Sequence, residues 1–304
     1  MAPTQKAESS FAWHHIRGSV PKEWEITTYS VEERAGRLEF NTRHGREAVV
    51  CWEPFKSEPD RPSTLATFLA THSIKGENTE KLHQTDIATA EIGPFLLGWL
   101  NEALPCQAIG YNAKSGHLIR WIFEGHSSKT DRDKIIRPIL ESCNFNQDET
   151  TCEYNLNGIH CILPWDYKFK DSVVHPANVM MSFESKESKH NAVFRRWGLA
   201  EMILGNQDLS DFYTAILSAQ GIVVDTCIPC HVDGWNARRL TFNAPQEHHR
   251  NRFRPRRWHN GIAIVWHDET ENRIYTFEQI GPDNAMPLEF NTVIPGYTLK
   301  EHVE

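Results

Sequence analysis

The sequence predicts an α+β protein built as two tandem antiparallel-sheet units with packed helices, an α/β/α sandwich-like unit repeated by internal duplication. Three observations predict it. A length of 304 residues suits two cores of roughly 140 residues each better than one. Short apolar-polar alternations separated by turn residues recur along the chain, the pattern of antiparallel strands. Their order in residues 11–148 returns in residues 149–290, which is the mark of a repeated structural unit.

Residues 1–10 hold one lysine and no apolar stretch and read as a disordered tail. Val20-Pro21 followed by Trp24 is then echoed by Leu163-Pro164 followed by Tyr167. Next, Gly36-Arg37-Leu38-Glu39-Phe40 parallels Asn178 to Phe183, and Val49 to Trp52 parallels Val193 to Trp197; all read as short strands. A helix follows in each half. Leu65, Phe68 and Leu69 share a face in the first, and Leu209, Phe212, Tyr213, Ile216 and Leu217 in the second, where Asp208 or Ser210 supplies the cap. Gly98-Trp99 matches Gly234-Trp235. Each half then carries a hairpin: Ala108 to Phe123 around Lys114-Ser115-Gly116, and Ile262 to Phe277 around Asp268 to Asn272.

The halves differ at their ends. The first closes with a helix over Asp131 to Cys143, with Ile135, Ile136, Ile139 and Leu140 on one side and Pro138 set to kink it or delay its start. The second ends in an irregular stretch from Met286, of which residues 291–304 form a C-terminal tail, with Phe290 and Tyr297 as exposed aromatics. It also carries an insertion, residues 243–259, absent from the first, and inserted loops are common seats of function. Trp13, Trp24, Trp52, Trp99, Trp197 and Trp235 read as core.

With Pro21, Trp24, Gly36, Trp52, Trp99 and their second-half partners in place, residues 11–290 resemble tandem units of the Mog1/PsbP-like α/β/α sandwich and an uncharacterised archaeal and bacterial family of such units. The resemblance implies a binding module and not an enzyme.

Composition sets limits. Hydrophobic residues at 39% and charged residues at 24% suit a packed globular chain. No run of eighteen apolar residues occurs, so no transmembrane helix and no membrane partner is expected and a cytoplasmic location follows, with the seven cysteines reduced. A net charge of −8 argues against a surface coated by nucleic acid as a whole. Oligomeric state is not legible.

Two segments carry chemistry. Cys227-Ile228-Pro229-Cys230-His231 spells the C-x-x-C-H string of c-type haem attachment. Haem attachment needs a secretory leader, and the N-terminus does not read as one, so haem is set aside. Zinc is the better chemical alternative, with Cys227 and Cys230 as one knuckle and His231, His259, His248 or His249 as further ligands. The plainer reading is two partly buried thiols.

The stronger candidate is the arginine-rich stretch. From Arg238 to Trp258 there are seven arginines, Arg238, Arg239, Arg250, Arg252, Arg254, Arg256 and Arg257, against the single acid Glu247. Guanidinium groups pair bidentately with phosphate or carboxylate, and Phe253 and Trp258 can stack on a base. The plainer reading is a solvated loop paired with the chain's own acids. His14-His15 is a weaker metal candidate. No G-x-S-x-G, GxxxxGK[ST] or GxGxxG motif occurs.

The expectation is therefore a non-enzymatic binding or assembly module whose arginine loop contacts nucleic acid or an acidic protein. A zinc-dependent hydrolase of a phosphorylated substrate, and a structural subunit docking through Phe290 and Tyr297, are the alternatives.

Overall fold

The structure is a computed structural model that describes residues 8–13, 16–31, 35–73, 87–100, 104–145, 150–175, 177–245, 258–282 and 288–301. The chain divides into two compact units, Met1–Asp148 with Asn155–Asn157, and Glu149–Tyr154 with Gly158–Glu304. Each is mixed α+β and dominated by antiparallel sheet. Among the described residues no helix is long and apolar enough to cross a membrane.

The first unit runs β1 (Glu8–Trp13), β2 (Ile16–Pro21), β3 (Glu25–Val31), β4 (Gly36–Thr42), β5 (Gly45–Pro54), α1 (Arg61–Ser73), β6 (Ala88–Ile92), β7 (Phe95–Trp99), β8 (Cys106–Asn112) and β9 (His117–Phe123). It closes with α2 (Lys129–Asp131), a π-helical turn Arg132–Ile136, α3 (Arg137–Ser142) and β10 (Asn144–Phe145). Seven strands form one sheet in the order β3-β4-β5-β9-β8-β7-β6. Helix α1 lays Leu65 and Leu69 on Leu96, Ile109 and Leu118 of one face. On the other face Phe11 of β1 meets Phe40 and Trp121 edge-on, and Trp121 stacks on Phe123 at 5.4 Å. The second covering layer is thus strand plus helix, since β1, β2 and β10 pair with one another beside α3. β1 starts at Glu8, so the tail expected over residues 1–10 gives up Glu8, Ser9 and Ser10 to a strand; residues 1–7 and His14-His15 lie outside the described residues.

The closing helix forms where the apolar spacing places it, with Ile136, Ile139 and Leu140 buried. Pro138 lacks the N–H that an α-helical turn requires four residues after Lys134, and the chain widens to π spacing through Arg132–Ile136 immediately before it.

The second unit contains β11 (Thr151–Leu156), β12 (Ile159–Pro164), β13 (Tyr167–His175), β14 (Asn178–Ser185), β15 (Asn191–Gly198), α4 (Ala200–Leu204), α5 (Leu209–Ala219), β16 (Val223–Val232), β17 (Trp235–Pro245), β18 (Trp258–Asp268), β19 (Arg273–Gly281), α6 (Phe290–Val293) and β20 (Leu299–Glu301). Eight strands form a sheet in the order β13-β14-β15-β19-β18-β17-β16-β20. Its first seven positions repeat the succession of the first unit's sheet, with the helix in each case between the third and fourth strands along the chain. In each unit the stretch before the sheet ends in a Pro-x-x-aromatic turn, Pro21 to Trp24 and Pro164 to Tyr167, with both aromatics buried. The hairpins also match. Asn112 accepts from the amides of Lys114 and Ser115, and Asp268 from that of Glu271, which closes both four-residue turns.

Gly98-Trp99 and Gly234-Trp235 do not match in place. Gly98 lies inside β7, paired with Thr89 and Gln107, whereas Gly234 sits in the β16–β17 turn at φ 89°. Among the described residues the turn glycine between β6 and β7 is Gly93, at φ 55°. Composition brought the two dipeptides together where backbone conformation does not.

The C-terminal stretch is also corrected. Phe290 opens α6 and is buried against Trp266 and Phe277. The Tyr297 hydroxyl reaches Asp268 at 3.1 Å, and β20 pairs with Cys230–Val232 at the sheet edge. Phe290, expected to be exposed for docking, is therefore part of the second core, and Tyr297 is half-buried beside it.

Asp208 caps α5, accepting from the Ser210 amide at 2.7 Å. Asp208→Ala is expected to cost about 1 kcal/mol. The Ser210 hydroxyl, then its amide, hold the Asp208 carboxyl below its ordinary 3.8. The folded value is thus depressed, so this contribution is present above pH 3.8 and lost as pH falls through the folded value. Urea unfolding of native and variant protein checks it: the difference between them seen at neutral pH shrinks in strong acid.

Candidate functional site

Strand alternation builds a cleft on one face of the second unit. On β14, Val179, Met181, Phe183 and Ser185 point into one layer and Met180, Ser182 and Glu184 point to the other side. That other side is the face on which α5 packs, with Leu209, Tyr213 and Leu217 over Leu240, Phe242, Ala263 and Val265. Helix α5 is only eleven residues long. Over β13, β14 and β15 the face stays open as a cleft of about 840 Å³, within the range of small-ligand sites.

The floor of the cleft is charged. Glu278 of β19 and Arg195 of β15 both line it, with Ser182, Asn191, Val193 and Ile280 around them. Arg195 Nε donates to Glu278 Oε1 at 2.8 Å, and the Tyr213 hydroxyl of α5 donates to the same oxygen at 2.6 Å. The Glu278 side chain is 2% exposed and that of Arg195 18%. Burial opposes charge on Arg195, and the neighbouring Glu278 more than offsets this, so its proton is held more tightly than usual. Burial pushes the Tyr213 phenol well up, and the Glu278 charge adds to the rise. At the rim stand Lys170, Lys189, Asp171 and Glu184. His259 joins them, held below the ordinary imidazole range first by burial and then by the charge of His190.

The arginine-rich stretch joins this cleft at both ends. Pro245 and His259, which flank it in the chain, both line the cavity, and Pro245 pairs with Trp258 across the β17–β18 ladder. The insertion expected over residues 243–259 is therefore strand at both margins. Arg250, Arg252, Phe253, Arg254, Arg256, Arg257, His248 and His249 lie outside the described residues, as does the side chain of Trp258. Arg238 and Arg239 lie elsewhere. They are adjacent on β17 and so face opposite sides of the sheet, and Arg238 is seven residues from Pro245, about 23 Å along the strand. Arg238 bonds to Asp208 Oδ2 at 3.2 Å. The two do not share a patch with the cleft.

The four metal candidates also stand apart. Cys227 and Cys230 are three residues apart on β16, so strand alternation sends them to opposite faces; Cys227 is exposed and Cys230 buried. His231 alternates away from Cys230. In the ladder Cys227 aligns with Ala263 and Cys230 with Trp266, through Leu240 and Ala237. His259 is four and seven residues from those rows, about 13 and 23 Å along the strand. Among the described residues no group of three or more His, Cys, Asp or Glu is placed to hold a metal ion. The C-x-x-C spacing reads as a knuckle only on a turn, and here it falls within a strand.

Sequence reasoning missed Arg195, Glu278 and Tyr213. A signal was present: Glu278 interrupts the run Ile274-Tyr275-Thr276-Phe277 at a position that alternation sends to the helix face. The first unit has a second cleft of about 810 Å³. There His126 stacks on Trp24 at 5.5 Å and reaches Glu47 Oε2 at 2.7 Å, and Thr42 donates to Glu47 Oε1 at 2.6 Å. No counterpart of the arginine-rich stretch adjoins it.

No protein-family model matches the chain, and no curated protein matches it. Among solved structures it is similar to the apo immunity protein TplEi of the T6SS from Pseudomonas aeruginosa, at 12% identity and a TM-score of 0.34, over 92% of this chain and 90% of that one. A score of this size carries no functional argument.

Proposed function

We propose that this chain is a non-enzymatic binding module that takes an acidic protein segment on its second unit, through the arginine-rich stretch and the cleft beside it. The observation that carries the reading is that Pro245 and His259, the two margins of that stretch, line the same cleft. A connection of twelve residues tied at both ends reaches at most about 20 Å from its anchors. Arg250, Arg252, Arg254, Arg256 and Arg257 fall in the chain between these two margins, and a tether of this kind raises effective concentration.

A protein partner is favoured over nucleic acid by the cleft itself, because Asp171, Glu184 and Glu278 line it among the cations. Against such a lining a phosphate backbone meets repulsion along its whole length, whereas an acidic polypeptide places its carboxylates singly and its amides and apolar groups against the rest. The hydrolase alternative loses support with its ligand set, since Cys227, Cys230, His231 and His259 do not converge. The expected duplication and the likeness to tandem Mog1/PsbP-like units belong to the same proposal, and the shared strand succession supports the duplication.

The test is fluorescence anisotropy with a labelled glutamate-rich dodecapeptide and, in parallel, a single-stranded dodecanucleotide. Replacing the five arginines from Arg250 to Arg257 with serine is expected to weaken peptide binding by about tenfold or more, at roughly 0.2–1 kcal/mol per exposed charge pair. A control variant removes the same net charge from exposed Lys22, Lys56, Lys129, Lys134 and Arg137 of the first unit and keeps the affinity. Equal peptide affinity for all three proteins overturns the proposal. Tighter, steeply salt-dependent binding of the oligonucleotide replaces it with nucleic-acid recognition.

A further inference from the structure

We infer that the floor of the second unit's cleft is a receptor for one carboxylate side chain of the bound segment, with Arg195 as its specificity-determining residue and Glu278 and Tyr213 as positioning residues. This deepens the binding proposal and rests on it.

A guanidinium has five N–H donors in a planar fork. Among the described residues Arg195 directs Nε to Glu278 and shares a hydrogen bond with the Tyr213 hydroxyl. Donors remain for a ligand in the cavity that Arg195 lines, and a planar fork matches the two oxygens of a carboxylate. Its geometry is set in advance. Glu278 is 1% exposed and Tyr213 fully buried, so the group that grips Arg195 is itself gripped by α5, and little ordering is left for binding to do.

The two sheets differ at this place. Counting from the hairpin turn, Glu278 is five residues past Arg273, and the residue five past His117 in the first unit is Ile122. Arg195 faces Thr276, three past Arg273, whereas Cys51 faces Arg120, three past His117. The same strand succession therefore closes without a glutamate or an arginine at these two places. A buried ion pair is at best weakly stabilising compared with apolar packing. Its presence at the edge of α5, where Arg195 and Glu278 also line the open cleft, is explained by a ligand.

Val193, Ile280 and Met180 offer apolar walls for the methylenes of an acidic side chain, and Glu184 and Asp171 stand at the rim. With Lys170 and Lys189 beside these acids the rim carries both signs, which suits an isolated carboxylate better than a polyphosphate.

The experiment uses the full chain and three probes: an acetylated hexapeptide amide with a single central glutamate, its glutamine twin, and inorganic phosphate. Calorimetric titration of the native protein is expected to show the glutamate peptide bound about tenfold or more tighter than the other two. Arg195→Gln abolishes that preference, and Arg195→Lys, which keeps the charge without the fork, retains part of it. Ser182→Trp, which fills the cavity without touching the triad, abolishes binding and keeps the inference testable if Arg195→Gln fails to fold. Equal binding of the two peptides by native protein, or an unchanged preference in Arg195→Lys and Ser182→Trp, overturns the inference, and tighter phosphate binding overturns its carboxylate assignment. The five-serine loop variant separates the two levels. If it loses the dodecapeptide while the Arg195 variants keep the glutamate preference, only this inference fails; if it binds the dodecapeptide as native protein does, the loop reading fails.

Discussion

Replacing Glu278 with alanine destabilises the second unit by about 3–5 kcal/mol, whereas the triple replacement Arg195→Met, Tyr213→Phe, Glu278→Leu costs little or nothing. The asymmetry follows from burial. Arg195 is 18% exposed and its partner 2%, so the single substitution leaves a cation mostly out of water with no counter-charge, and the Tyr213 hydroxyl loses its acceptor. The triple replacement removes the charge, its partner and the hydroxyl together. Chemical denaturation with hydrogen exchange read at β15 and β19 measures both. Stability recovered in the triple variant, together with lost ligand preference, identifies the triad as a functional feature. A triple variant as unstable as Glu278→Ala shows instead that the fold needs it.

Trp266→Ala is the second large effect, also about 3–5 kcal/mol for a fully buried indole. Trp266 is 2% exposed. It stacks on Tyr275 at 5.5 Å and meets Phe290 and Tyr297 edge-on at 5.4 and 5.2 Å. Two of its three aromatic partners come from the C-terminal stretch, so its removal loosens that stretch along with β18. The expected result is a lower unfolding midpoint and faster amide exchange at residues 288–301, with exchange in the first unit's sheet unchanged. Rapid exchange at Val293 and Ile294 in the native protein would contradict their place in the core.

These contacts show where sequence reading succeeds and where it stops. Both helices that flank the sheets, the two hairpins and the Pro-x-x-aromatic turns are local: each is fixed by the periodicity of about ten residues or by one turn's chemistry. The C-terminal stretch was not, because β20 is three residues long and α6 four, too short for any period to show. Their order comes from Trp266, far away in sequence. Helix α4 escaped for the same reason; it has five residues and starts from Leu199 at φ 59°.

The candidate site was legible only at its margin. Arginine clustering between Arg250 and Arg257 is a compositional signal and needs no fold. The cleft beside it depends on which strands neighbour which, since β15 meets β19 across some eighty residues of chain (Arg195 and Glu278 are separated by 83 positions). No spacing rule brings them together. The cysteine pair erred in the opposite direction: its spacing is a valid ligand pattern in a turn, and the element that contains it turns the two thiols apart.

The central claim is that binding takes place on the second unit, at the cleft and the arginine-rich stretch. Hydrogen–deuterium exchange of the whole chain, with and without a saturating glutamate-rich dodecapeptide, tests it most directly. The account predicts slowed exchange in β14, β15 and β19 and through residues 245–259, with the first unit's strands unaffected. Protection confined to the first unit, around Trp24, Glu47 and His126, or no protection of the second unit at peptide saturation, would contradict it.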